Sequence, residues 1–380
     1  MSRVRALKAA FVFDGERLHR DHAVVIEGGA IRAVLPAVDL PRDLATESLP
    51  EQAWLAPGFI DVQVNGGGDV MLNDAPTPEA MAAIAAAHRR FGTTSILPTL
   101  ITDAPEKMAQ ALSALGEAAR SSPGVIGFHL EGPFISPKKP GVHDPAAIRR
   151  PEPSDIQLLT AGHGAPVLVT LAPEVVLPGT IAALVQAGVT VSIGHTDATY
   201  DETRAALAEG ARGFTHLFNA MRPLGSRDPG PIAAALETPG CFYGFIVDGL
   251  HVDPAILRLA LRGQGRPVLV TDAMAPVGGT RETFQLYGET ITVTNGRCAR
   301  ADGTLAGAAL DMASAVRNAV AWLEIDLPTA LRMASVEPAA FVGLDDRLGR
   351  LAPGYRADLV ALDPETVTAL GTWVAGEGGF

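Results

Sequence analysis

Short apolar runs ending in polar or glycine-rich residues recur through the middle of the chain. Eight can be traced: GFIDVQV (58–64), TTSILPTL (93–100), VIGFHLEG (125–132), PVLVTLAPE (166–174), VTVSIGHTD (189–197), GFTHLFNA (213–220), CFYGFIVDG (241–249) and PVLVTDAMAP (267–276). Alanine-rich stretches of helical periodicity, such as PEAMAAIAAAHRRFG and DETRAALAEG, join most of them. Nearly continuous apolar strands alternating with helices predict a parallel sheet buried on both faces. Eight such units in about 220 residues predict an α/β fold of the (β/α)8 barrel type. An open doubly wound sheet is disfavoured, because no GxGxxG follows the first strand and 66–68 opens no helix.

The two ends have a different rhythm. Residues 3–35 alternate as short strands (RALKAAFVFDG, HAVVIEGG, AIRAVLP), and DLVALD, TVTAL and TWVAGEG do the same near the C-terminus. This predicts a small β-sandwich domain assembled from 1–54 and 346–380 around a barrel at 55–345. Residues 277–306 interrupt the barrel pattern with Gly- and Thr-rich hairpin sequence, and helices are expected again at 310–324 and 328–342.

Composition narrows the function classes. A hydrophobic content of 47% suits a large core, and a net charge of −12 argues against nucleic acid or an anionic membrane surface as partner. Two cysteines, Cys241 and Cys298, form no CxxC pattern, so a reducing cytoplasm is the expected setting. The N-terminal residues lack a signal-peptide pattern, and no run approaches the ~18 apolar residues of a membrane span.

In a barrel of this type the reactive groups sit at the C-terminal ends of strands. That rule selects Glu131 in HLEGP, His195 in SIGHTD, His216 in THLFNA and Asp272 in LVTDA. Any one strand-end histidine is more often structural, but four groups of metal-site type on one rim point to a metal-dependent hydrolase. Two imidazoles and a carboxylate form a standard set for a catalytic zinc-type ion with a position left for water. Asp272 would stand beside that water as general base. His143, His251 and Arg227 lie on loops of the same face and would offer polarising or cationic groups to a small anionic substrate. Asn219 and Ala220 adjoin His216 on that rim, and His129 is read as structural or as supporting the ligand residues from outside the ion's own ligand set.

These motifs resemble a known family. PGFIDVQVNG, HLEGPF, SIGHTDATY, THLFNAM, VDGLHV and LVTDAMAP, in this order, look like those of the N-acetylglucosamine-6-phosphate deacetylases of the amidohydrolase superfamily, and RLGRLAPGYRADLVALD is similar to the superfamily's C-terminal segment. The resemblance covers nearly the whole chain and implies hydrolysis of the acetamido group of N-acetyl-D-glucosamine 6-phosphate in amino-sugar catabolism and cell-wall recycling. It implies that Glu131, His195 and His216 bind one divalent metal, zinc or iron, and that Asp272 takes a proton from the water and returns it to the leaving amine. His143 would polarise the acetyl carbonyl, and His251 and Arg227 would hold the phosphate. Arg227 would come from the neighbouring subunit of a homodimer, and Asn219 and Ala220 would also touch substrate. The alternative substrates are N-acetylgalactosamine 6-phosphate or another amide, and a non-catalytic sugar-phosphate binder is the reading of a different class. Strand four carries no lysine to bridge two metals, and Gln63 and Asn65 stand where many relatives carry a His-x-His pair. Neutral amides are poor zinc ligands. The first-metal position is therefore expected to be vacated, with Gln63 orienting the water or a ligand from outside the ion's own ligand set.

Overall fold

The computed structural model describes residues 4–379, so residues 1–3 and 380 of the terminal segments lie outside the described residues. All eight predicted barrel strands are present: Phe59–Val64, Thr93–Ile101, Phe128–Glu131, Val167–Leu171, Thr190–Ile193, Gly213–Phe214, Phe242–Phe245 and Arg266–Leu269. They pair side by side in chain order, all parallel. A helix follows each strand, from Pro78–Arg89 after the first to Met312–Leu323 after the eighth.

The barrel closes over a short seam. The last and first strands are joined by a parallel bridge between Ala273 and Val64. The Asp272 amide donates to the Gln63 carbonyl at 3.0 Å, and the Asn65 and Gly66 amides both donate to Ala273 O at 2.9 Å. Closure thus happens at the rim that carries Asp272, where it brings the ends of strands one and eight together.

Helix boundaries follow local chemistry. Thr199 caps Tyr200–Ala208 in a capping box with Glu202. The expected helix at 328–342 is two helices, Leu327–Ala334 and Val336–Phe341, hinged at Ser335. Pro338 explains the break, since a continuous helix would need its missing N–H to bond Ala334 O.

The termini build a second, eight-stranded sheet. Its path runs Glu377–Gly379, Thr368–Val374, Leu359–Asp363, Trp54–Pro57, Arg5–Phe13, Leu18–Glu27 and Ala30–Pro36, with Ala45–Ser48 added beside Arg5–Phe13. It has its own core of Leu7, Val12, Val24, Ile26, Leu55, Leu359 and Trp373. TVTAL and TWV, expected as separate segments, form one strand. Gly371 lies at a register shift against Ala361 and Leu362, so the glycine marks a bulge and not a break.

Residues 283–308 form a four-stranded antiparallel sheet around Phe284, Leu286, Ile291 and Cys298. It packs on Met71, Ile101 and Met274, at the rim of the barrel.

Asp61, in strand one, is wholly buried beneath the seam and accepts hydrogen bonds from Thr271 Oγ1, from Thr271 N at 3.3 Å and from Gln63 N at 3.2 Å. Burial, reinforced by the nearby Asp272 charge, pushes its pKa from 3.8 to about 7. The folded chain therefore keeps a proton that the unfolded chain releases above about pH 4, and stability falls as pH rises from about 4 to 7. Urea unfolding of the wild type and Asp61→Asn should show the wild type losing about 1 kcal/mol per pH unit relative to the variant between about pH 4.5 and 6.5. Parallel profiles would mean that Asp61 is ionised in the fold.

Candidate active site

The barrel rim encloses a cleft of about 300 Å³. Its wall includes Asn65, Glu131, His143, His195, His216, Asn219, Ala220, His251 and Asp272. Nearly every site residue expected from sequence is thus brought together. Arg227 is not among them: it stands exposed on the loop between strand six and Gly230–Glu237, outside the cleft wall, and makes no ion pair with any described residue.

Three side chains converge on one point. Glu131 ends strand three, and His195 and His216 each lie two residues beyond their strands. His195 Nε2 is 3.1 Å and His216 Nε2 is 2.9 Å from Glu131 Oε1, and the two nitrogens are 3.1 Å apart. A tetrahedral ion with bonds of about 2.1 Å would have ligand atoms about 3.4 Å apart, a few tenths of an ångström wider than this triangle, which small side-chain shifts would open to admit it. His195 Nδ1 faces the Lys139 carbonyl at 2.9 Å, which holds a ring proton there, so that Nε2 is the nitrogen whose lone pair an ion would take. His216 Nδ1 has no partner among the described residues.

Charge around this point is strongly organised. Burial alone would raise the Glu131 pKa, but hydrogen bonds to His195 and His216 hold it well below the usual carboxylate range. The same contacts outweigh burial at His216 and raise its pKa. Burial, helped by the Glu131 charge, pushes Asp272 up to about 6, against the pull of His216 and His251.

Gln63 and Asn65 deal with the two carboxylates directly. Gln63 Nε2 donates to Glu131 Oε2 at 3.1 Å and to Asp272 Oδ1 at 3.3 Å. Asn65 Nδ2 donates to the same Asp272 oxygen at 2.6 Å. No hydrogen bond from a described residue reaches Asp272 Oδ2.

The remaining groups arrive on loops. His143 is buried, and burial, with His195 beside it at 4.3 Å between ring centroids, keeps its pKa well below the ordinary histidine value. Asn219 Nδ2 is turned to the His216 carbonyl at 3.1 Å. His251 Nδ1 meets Asp248 Oδ2 at 2.6 Å, and Asp248 Oδ1 also accepts from the Leu250 and His251 amides. The contact with His251 outweighs burial and lowers the Asp248 pKa. His129, two residues before Glu131, is held between Thr99 Oγ1 at 3.2 Å and Thr170 Oγ1 at 2.7 Å, and burial drives its pKa down to about 4.

Sequence reasoning missed several contributors. Asp248 could have been found, since an Asp three residues before a loop histidine has the spacing of a local turn. Thr304, Leu305 and Gly307 come from the 283–308 sheet and also line the cleft, a contact that no local pattern announces.

Comparison with known proteins agrees with this geometry. The amidohydrolase family pattern matches residues 54–378, and the NagA composite domain matches residues 6–50. An N-acetylgalactosamine-6-phosphate deacetylase from Shewanella is 43% identical over 85% of this chain and 82% of its own. An N-acetylglucosamine-6-phosphate deacetylase from Haemophilus influenzae is 37% identical over 94% of each. Among solved structures, the N-acetylglucosamine-6-phosphate deacetylase of Pasteurella multocida superposes with a TM-score of 0.95, at 36% identity and 99% coverage of both chains. A variant of the Mycobacterium smegmatis deacetylase in complex with N-acetyl-D-glucosamine-6-phosphate gives 0.90, at 38% identity and the same coverage. With its family pattern running from Trp54 nearly to the C-terminus, the chain belongs to the amidohydrolase family.

Proposed function

We propose that this protein hydrolyses the acetamido group of N-acetyl-D-glucosamine 6-phosphate, giving acetate and D-glucosamine 6-phosphate. The observation that carries the reading is Asp272 held across from the Glu131–His195–His216 triad, with His143 and His251 on the same small cleft.

Glu131, His195 and His216 would hold a single divalent cation, zinc or iron. Bound there, it supplies the Lewis acidity that makes water a nucleophile at neutral pH. Asp272 Oδ2 takes the proton from that water and returns it to the nitrogen as the C–N bond breaks, so one carboxylate serves both steps. His143 donates to the carbonyl oxygen as negative charge builds on it. His251 and Arg227 bind the phosphate, Arg227 reaching over from the partner subunit of a homodimer. Its exposure and its lack of an ion pair with any described residue support that placement. Asn219 and Ala220 hold the sugar. The Gln63 amide, set between Glu131 and Asp272, supports one ion per chain over two. A phosphorylated substrate and two free cysteines suit a reducing cytoplasm.

A second reading, the galacto epimer as substrate, is favoured by the name and 43% identity of the Shewanella relative. Acetate release from the two epimers, each with and without its 6-phosphate, separates them. Faster turnover of the galacto compound would select the second reading, and indifference to the phosphate would remove both.

Asp272→Asn should lower kcat by about 10³-fold or more while bound metal stays near one per chain by elemental analysis. Near-normal turnover by this variant would sink the proton-transfer scheme. Arg227→Ala should raise KM about 10- to 100-fold with little change in kcat, as loss of a charged phosphate contact would. An unchanged KM would take Arg227 out of the site.

A further inference from the structure

The three histidines His143, His195 and His251 differ in what their Nδ1 atoms face. His195 Nδ1 faces the Lys139 carbonyl and His251 Nδ1 faces the Asp248 carboxylate, both acceptors. His143 Nδ1 faces Thr102, immediately after strand two. The Thr102 backbone nitrogen is at 3.3 Å and its Oγ1 at 2.7 Å. A backbone N–H can only donate, so it is satisfied here only if Nδ1 is a bare lone pair. The hydroxyl, free to rotate, then donates to the same nitrogen. The one proton of the neutral ring is left on Nε2, which no hydrogen bond from a described residue reaches.

The backbone is built around this contact. Gly132 has φ +83° and lies against Thr102 Oγ1, and a Cβ at Gly132 would come within 2.1 Å of that oxygen. Only a residue without a Cβ lets the hydroxyl stand where it meets the ring. The neighbouring His195, 4.3 Å away between centroids, is held in the opposite tautomer. Two adjacent imidazoles are therefore prepared for opposite tasks, one offering a lone pair and the other an N–H.

We propose that Thr102 is a positioning residue that locks His143 in the Nε2–H tautomer, so that this ring meets the amide carbonyl as a neutral hydrogen-bond donor and not as a base or a further metal ligand. The carbonyl part of this statement rests on the amide-hydrolysis reading above, whereas the tautomer does not.

The test begins with the metal-loaded protein labelled with ¹⁵N-histidine. Long-range ¹H–¹⁵N spectra should show His143, identified by its loss in His143→Gln, with Nε2 protonated and Nδ1 bare. A protonated Nδ1 would overturn the proposal whatever the enzyme turns over. In kinetics, Thr102→Val keeps the backbone donor but loses the 2.7 Å anchor, and kcat should fall about 3- to 10-fold with KM within about twofold. Thr102→Ser should restore kcat. The loss should shrink for the N-trifluoroacetyl analogue, whose carbonyl needs less polarisation, an effect that mere loosening of the fold would not produce. A valine variant with wild-type kcat, or a serine variant as impaired as valine, would remove Thr102 from this role. If the wild type releases no acetate from either sugar phosphate, the functional reading fails while the tautomer measurement still decides the assignment.

Discussion

Two carboxylates, Glu131 and Asp272, are wholly or largely removed from water and lie within reach of a single amide nitrogen, that of Gln63. Like charges buried this close repel strongly, and each also carries a desolvation cost. Much of the rim can be understood as the way the fold meets that cost. The histidine rings meet Glu131 on its Oε1 side, the Gln63 amide takes Oε2, and Gln63 with Asn65 takes Asp272 Oδ1. These amides are in place because the barrel closes through strands one and eight at this height, with Asp272 N bonded to Gln63 O. Barrel closure and carboxylate placement are thus the same structural event.

The price appears in the backbone. His195, His216 and Asp272 all have positive φ, at 48°, 31° and 51°, as do Phe218 and Ala220 beside them. Residues with a Cβ avoid this region, and concentrations of it at a site are held there by the surrounding structure. Each of these three lies just beyond the end of its strand and lines the cleft. The hydrogen bonds from the Thr196 amide to Ala220 O and from the Arg222 amide to Thr196 O hold the two histidine loops against one another.

The barrel was legible because a strand buried on both faces must be nearly continuous in apolar residues, and each of the eight runs stands out for that reason. Glu131, His195, His216 and Asp272 were legible because the same rule places chemistry at strand ends. Features set by contacts distant in sequence were not. Nothing near Thr102 indicates that its hydroxyl meets a ring 41 residues later, and nothing in 277–306 says which of its residues reach the cleft. The bulge at Gly371 shows the same limit, since a glycine within an alternating run looks alike whether it ends a strand or bends it.

Gln63 and Asn65 illustrate how a substitution that looks like a loss in sequence can be a gain in electrostatics. A histidine pair at these positions would present lone pairs and invite a second cation. Two amides present N–H groups instead, and these satisfy carboxylate oxygens without adding charge. With one divalent cation on the triad, as proposed, its two positive charges balance Glu131 and Asp272. A second cation in that buried space would leave an excess of two, which would have to be offset by hydroxide or by further acidic ligands. Among the described residues the only group of three or more His, Cys, Asp or Glu side chains placed to share an ion is Glu131, His195 and His216, and Asp61 has its hydrogen bonds committed to Thr271 and Gln63. The amides, and the absence of a further acidic ligand among the described residues, both suit the single ion proposed above.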